Sequence, residues 1–444
     1  MPVCGTRHYS LPVPASADVN GHLDRNYANL RSTFIEWTRL DADDDRTQVT
    51  QDYFNQLNIG DTTRIANASV MTDRRRAGDE APSVLMIGSH DVSDLSPTES
   101  PATALPAMST DELRGPGTGR LLGATMAFLE GFKATVMTPG DEPVNLQAIS
   151  IGPGDDATSV IDTHVSGPVD VVVLTDSISW APEMPTVTVG SRGRLEATIT
   201  LTAPRAVNDS AYAGAALNPL NRLVDMIASL RNDKGRIVLD EFYTRAQRPE
   251  RDALTALAST DWVDAIGGSL PSGSLAPIDR ATQWPVLSVL DMNASAAHGS
   301  TPASATVRIA IYLIPDQRPV DVERTLRAWV QENTPDSLSS ALRIDMSARP
   351  YRLQADSAAL AAHTRALNKV HGRQPVAVPA GGAIGAGEIH YATAAPVLFA
   401  GISGPHQRWG STHEGLAPEL LERGVAVAAE LCLQLPRRSS LRST

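Results

Sequence analysis

Residues 169–193 read VDVVVLTDSISWAPEMPTVTVGSRG. The valine-rich run 169–174 is short and apolar, which predicts a strand buried on both faces. Asp176 stands just past its carboxyl end, Pro185 follows nine residues later, and the turn Gly190-Ser191-Arg192-Gly193 comes next. Three more runs share this character, at 84–87, 146–151 and 397–400. Helix-like segments lie between them. Leu122, Met126, Leu129 and Phe132 fall on one face after Gly119, and residues 24–40 repeat the pattern. This alternation predicts an α/β layer around a mostly parallel sheet. Sites in such sheets gather beyond the carboxyl ends of strands. Residues 88–94, 152–159, 175–179 and 401–414 are therefore the ones to inspect.

The middle of the chain reads differently. Residues 195–202 alternate as an amphipathic strand, and 218–230 read as a helix opening on Asn218-Pro219. Residues 307–314 alternate again, and 320–330 read as a second helix. That order predicts a small α+β domain inserted into the larger one. The expected division is 1–190 and 350–444 for the two parts of the main domain and 191–349 for the insert. At 444 residues the chain is long for a single core. Residues 97–106, rich in Ser, Thr, Ala and Pro, read as a surface loop.

Composition narrows the function. The chain is 42% hydrophobic and 20% charged, which excludes disordered and collagen-like classes. Acidic residues outnumber basic ones 50 to 38, for a formal net charge of -12, so no basic face is available to nucleic acid. The run Arg74-Arg75-Arg76 lies between Asp73 and Asp79 and reads as a solvated loop. Two distant cysteines, Cys4 and Cys432, make neither a disulfide framework nor a thiolate zinc site. The first residues lack a charged segment followed by an apolar one, and no apolar run is long enough for a membrane. A cytoplasmic protein is expected. No nucleotide-binding glycine fingerprint and no G-x-S-x-G elbow occurs in the required context. Ser89 beside His90 is a poor nucleophile pair, because strand neighbours point to opposite faces.

The order and spacing of these motifs resemble a known family. It is the dinuclear zinc peptidase and deacylase family of carnosinase-like dipeptidases, carboxypeptidase G, acetylornithine deacetylase and succinyl-diaminopimelate desuccinylase. The resemblance runs over about residues 23–435 and is most specific at Asp176, Pro185 and Gly190-Ser191-Arg192-Gly193. The segment 214–219, Ile314-Pro315-Asp316-Gln317, Gly381-Gly382 and the block from Lys234-Gly235-Arg236 to Phe242-Tyr243 also look like the dipeptidase branch. It implies a zinc-peptidase-like catalytic domain with an inserted lid and dimerisation domain. It also implies a homodimer formed through the insert.

The resemblance further implies five protein ligands around two zinc ions, and most positions differ here. Where the family has G-H-x-D, this chain has Gly88-Ser89-His90-Asp91. Serine takes the place of the ligand histidine. Arg120 falls at or near the bridging aspartate. The family's paired glutamates become Asp155-Asp156, Asp176 is kept, and the last ligand histidine becomes Gly410, ahead of Glu414. A guanidinium stays protonated at any relevant pH and repels divalent cations. Asp156 and Asp176 become its natural partners instead. Substrate-side positions change as well. A histidine of the insert becomes Asp209, a carboxylate-gripping arginine becomes Tyr312, and the serine after the double glycine becomes Ala383.

The reading is an enzyme with no metal cofactor, acting by acid–base chemistry on a small amino-acid-derived amide or acid. Cyclisation, elimination, isomerisation and acyl transfer all fit, in a specialised biosynthetic pathway. Asp155 is the expected proton carrier, its pKa raised by burial beside Asp156. Arg120 stabilises developing negative charge, and His90 or His413 shuttles a second proton. Asp91 is counted with Asp155, His90 and Arg120 among the catalytic residues, and Ser89, Asp156, Asp176, Asp209, His413 and Glu414 line the substrate site. Two alternatives stay open. One is a residual metal-dependent amidase using Asp156, Asp176 and a recruited His90 or His413. The other is a noncatalytic protein that binds a ligand or partner. Structural uses compete at each position: an N-cap for Asp155-Asp156, a salt bridge for Arg120, and a solvated surface for His390, His406 and His413.

Overall fold

The computed structural model describes residues 19–40, 43–93, 112–136, 140–180, 184–207, 209–212, 214–233, 236–244, 246, 276–296, 300–379, 382, 385–411 and 413–441. Cys4, the segment 97–106, Lys234, Gly235, Gly381 and Ala383 lie outside them.

The main domain is built on a six-stranded sheet. In spatial order its strands are Asp61–Ile65, Ser69–Arg74, Asn145–Ile151, Ser83–Ser89, Val171–Leu174 and Val397–Phe399. The last four run parallel, and the first two form an antiparallel hairpin at one edge. Val171–Leu174 is buried at all positions. Val169 and Asp170 precede that strand. Asp170 accepts the Ser83 N–H at 2.9 Å and pairs with Arg438, so its carboxylate pins the start of two strands.

Ala124–Thr135 packs on Pro418–Gln434, which in turn packs on Ala358–His371. The first contact is close because residue 131 is glycine: a Cβ there would meet the Val425 carbonyl oxygen at 2.5 Å. Phe34, Trp37, Phe54, Phe128 and Phe132 are fully buried in this core. Each contributes about 1.5–3 kcal/mol by leaving water.

The insert has its own sheet, antiparallel throughout, in the order Val286–Ala294, Ser304–Leu313, Gly193–Thr202, Ser339–Ala348. Leu195, Ala197, Ile199 and Leu201 all face inward, as a period of two requires. They join Leu223, Met226, Ile309 and Leu326 in a second core. Helix Pro219–Ser229 begins where the Asn218-Pro219 signal placed it, and the Asn218 side chain accepts the Leu220 N–H at 2.9 Å.

One expectation is corrected. Arg74 is the last residue of an inner hairpin strand and pairs with Glu142 at 2.5 Å, so the arginine run is not simply a solvated loop. Cys432 is free and buried. Among the described residues no helix is long and apolar enough to cross a membrane.

Candidate functional site

Arg120 lies in a single wide turn of π-helix, Thr118–Gly123, that leads into Ala124–Thr135. Such bulges re-aim a side chain off the regular helical path. Here the side chain reaches the end of strand Val171–Leu174. Its Nε donates to Asp176 Oδ1 at 2.7 Å and its Nη2 to Oδ2 at 3.1 Å. This is the bidentate fork in which guanidinium and carboxylate match best. The guanidinium carbon lies 4.8 Å from the ring centre of Trp409, which adds a cation–π contact.

Behind this pair is Glu414, with no exposed surface. One of its oxygens accepts the backbone N–H of Arg120 and lies 3.4 Å from the Ser403 hydroxyl. The other accepts the Gly410 N–H at 3.3 Å. Burial pushes the Glu414 carboxyl up to about 7, against the opposing pull of the Arg120 and Gly410 amides, the Arg120 charge and the Ser403 hydroxyl. Gly119 allows the approach: a Cβ there would meet Ser403 at 2.8 Å and the Glu414 carboxylate at 2.9 Å. Arg120, Asp176 and Glu414 thus form one cluster with Trp409 and Ser403, two residues that sequence reasoning missed. Trp409 directly precedes Gly410, so its place in the loop was the available signal.

The other sequence candidates are placed elsewhere. Asp155 accepts the backbone N–H groups of Asn67, Ala68 and Ser69 and the Ser69 hydroxyl, at 2.8–3.3 Å. It closes the turn of the edge hairpin. These bonds outweigh partial burial and lower its pKa, where the sequence reading expected a rise beside Asp156. Asp156 does not pair with Arg120; it caps helix Ala157–His164 by accepting the Ser159 N–H at 2.9 Å. We expect Asp155→Asn, which cannot accept from all four donors, to lose about 1–3 kcal/mol in urea unfolding. An unchanged midpoint would contradict this bracing role.

His90 turns into the interior. It is 1% exposed, with Nε2 3.1 Å from the Thr47 hydroxyl and Nδ1 2.9 Å from that of Ser150. Burial lowers its pKa to about 4, with the Ala68 backbone, Asp91 and Asp155 opposing. A neutral, doubly bonded core imidazole is a poor proton shuttle near pH 7. Ser89 donates to the Ile151 carbonyl at 3.2 Å and accepts the Asp91 N–H at 3.1 Å. Asp91 in turn accepts the Ser93 N–H at 2.8 Å. Asp209, on the insert, is exposed and accepts the Ala211 N–H at 2.8 Å. His413 is exposed beside Glu414.

Residues 189–337 match the family described as the peptidase dimerisation domain of the M20 group. The chain is 26% identical over 176 residues to a probable di- and tripeptidase, DUG2, of Saccharomyces cerevisiae; the match takes in 37% of this chain and 19% of that protein. Human carnosine dipeptidase 1 superimposes with a TM-score of 0.74 at 17% identity, over 96% of this chain and 99% of the other. An M20 family metallo-carboxypeptidase of Sulfolobus solfataricus gives 0.74 at 17% identity, over 92% and 99%. The di-peptidase Dug1p of Saccharomyces cerevisiae gives 0.73 at 16% identity, over 94% and 98%. The chain therefore has the M20 peptidase fold, with the dimerisation domain of that group as its insert.

Proposed function

We propose that this chain is an enzyme that performs acid–base chemistry without zinc on a small amino-acid-derived amide or acid. Glu414 holds the proton near neutral pH, and Arg120 is the fixed cation beside which negative charge develops. The transformation is a cyclisation, elimination, isomerisation or acyl transfer, and we place it in a biosynthetic pathway. The observation that carries this reading is the Arg120–Asp176 fork with buried Glu414 directly behind it. The likeness of its fold to two dipeptidases and a carboxypeptidase supports the substrate class.

The side chains present do not fit the pair of zinc ions that the resemblance implies. Both Asp176 oxygens are engaged by a guanidinium, Asp155 closes a turn and Asp156 caps a helix. Among the described residues no three His, Cys, Asp or Glu side chains are grouped to hold a metal ion. The acid–base role moves from Asp155 to Glu414, because Asp155 is held as an anion by four donors. The same engagement of the aspartates favours a second reading, a noncatalytic ligand-binding protein.

The test is turnover of a panel of dipeptides and N-acyl amino acids, with and without the zinc chelator dipicolinate. We expect conversion that ignores the chelator and is lost in Glu414→Gln and Arg120→Met. Activity that requires added zinc would overturn the reading, and binding of a panel member without conversion would favour the second. We also propose a homodimer through the insert. Its edge strands Val286–Ala294 and Ser339–Ala348 expose Val289, Leu290 and Met346. Light scattering after size exclusion should give twice the chain mass, and a monomer at all concentrations would contradict it.

A further inference from the structure

We infer that the cavity between helices Ala124–Thr135, Ala358–His371 and Pro418–Gln434 is a second ligand site, built around the His363 imidazole. The ligand is a small, neutral aliphatic alcohol.

The cavity measures about 70 Å3. Small residues face it and leave the space open: Ala127 from the first helix, Gly424 and Ala428 from the third. Phe128, Leu367, Phe399 and Leu431 complete its inner wall and are buried. His363 stands among them at 3% exposure, and it alone of the buried lining residues has a polar side chain. Neither of its ring nitrogens has a hydrogen-bond partner among the described residues, and only Nδ1 is sealed from open space by packing. Nε2 is therefore the nitrogen that meets the cavity. Ser179, Thr186 and Arg423 are half-buried and stand at the mouth.

Burial lowers the His363 pKa to about 4, so the ring is neutral near pH 7. One nitrogen then carries a proton and the other a lone pair, and a hydroxyl can serve either. Leaving Nε2 unbonded costs stability that such a bond restores. A charged ligand would lose its hydration against apolar walls. A water molecule calls for about two to four polar partners, and the inner wall offers it His363 alone. Size sets the chain length. The cavity is roughly half of the ~150 Å3 that admits benzene, which leaves room for about three or four non-hydrogen atoms. The wall is shared with the candidate site: Gly401 and Ile402 line the cavity, and the next residue, Ser403, lies against Glu414.

The inference stands apart from the Glu414 chemistry, because it is read from binding without turnover. The full chain is titrated at pH 7 with 1-propanol, 1-chloropropane and propionate, and binding is followed by saturation-transfer NMR of the ligand. We expect saturable binding of 1-propanol, with propionate at least about tenfold weaker. His363→Phe should bind 1-propanol about tenfold more weakly and leave 1-chloropropane unchanged. Ala428→Leu, which fills the cavity from the neighbouring helix, should lose both. Absence of saturable 1-propanol binding would overturn the inference, as would an unchanged 1-propanol affinity in His363→Phe or in Ala428→Leu. Propionate bound in preference to 1-propanol would place the ligand on Arg423 at the mouth, and would also overturn it.

Discussion

Glu414→Gln is expected to remove the Glu414 component of a fall in stability that the wild-type chain undergoes between about pH 4.5 and 7, while Glu422, also raised to about 7 by burial, is common to both proteins and cancels in their difference. The folded-state Glu414 carboxyl is raised from 4.5 to about 7 by burial. Across that window the folded protein keeps a proton that the unfolded chain has released. Stability therefore declines as pH rises through it, and above pH 7 the fold carries a buried charge. The linkage relation puts the decline at about 3 kcal/mol. Glutamine is neutral at every pH, so its stability curve should lack this component. It also keeps one carbonyl oxygen for the Arg120 N–H. Urea unfolding of both proteins from pH 5 to 8 checks the expectation. Parallel curves would mean that Glu414 is ionised at the lower end of the range, which would remove it as a proton carrier near neutrality.

His90→Gln should produce the opposite slope. The imidazole pKa is lowered from 6.5 to about 4, chiefly by burial. Between those values the unfolded chain takes up a proton that the folded protein refuses. This contribution is intact above pH 6.5 and is lost as pH falls toward 4, by about 3 kcal/mol. Glutamine can still bond the Thr47 and Ser150 hydroxyls but does not titrate. The difference between wild type and variant should grow steadily below pH 6.5. His363 and His371 are also lowered to about 4 and are common to both proteins, so they cancel in that difference. A flat difference would contradict the interior placement. A loss of turnover in His90→Gln with stability unchanged would restore the catalytic role first expected for it.

The main sheet was legible because a parallel strand covered on both faces must be apolar along its length, as Val171–Leu174 is. The edge hairpin was not. Asp61–Ile65 is largely exposed, so its sequence, DTTRI, carries no burial pattern. Ser339–Ala348 is also mostly exposed, with Leu342 and Ile344 alone packing against the core of the insert. Helix Asp43–Leu57 is rich in polar residues and hid for the same reason.

At the candidate site, the complementary charges of Arg120 and Asp176 were readable, as positions after a strand and at a helix start. The Asp155-Asp156 pair was read as site acids with an N-cap as the competing use, and the cap is what Asp156 makes. A short acidic side chain near backbone N–H groups satisfies those groups first, and D-x-T-S at 156–159 is a capping sequence. His90 follows strand alternation, which turns it away from the side that Ser89 and Asp91 take. The Glu414 pKa was out of reach. It depends on burial, opposed by hydrogen bonds from the Arg120 and Gly410 backbone and the Ser403 hydroxyl, all of them distant or loop contacts that no local pattern encodes.

The central claim is that a protein cation occupies the place of the metals. It is tested most directly by elemental analysis of the chain purified without chelator, then incubated with excess zinc and desalted. The account expects less than about 0.1 zinc per chain in both samples, because the carboxylates that remain are already engaged by donors. One or two tightly held zinc ions per chain would contradict it, and would show that the Arg120–Asp176 pair opens to admit metal.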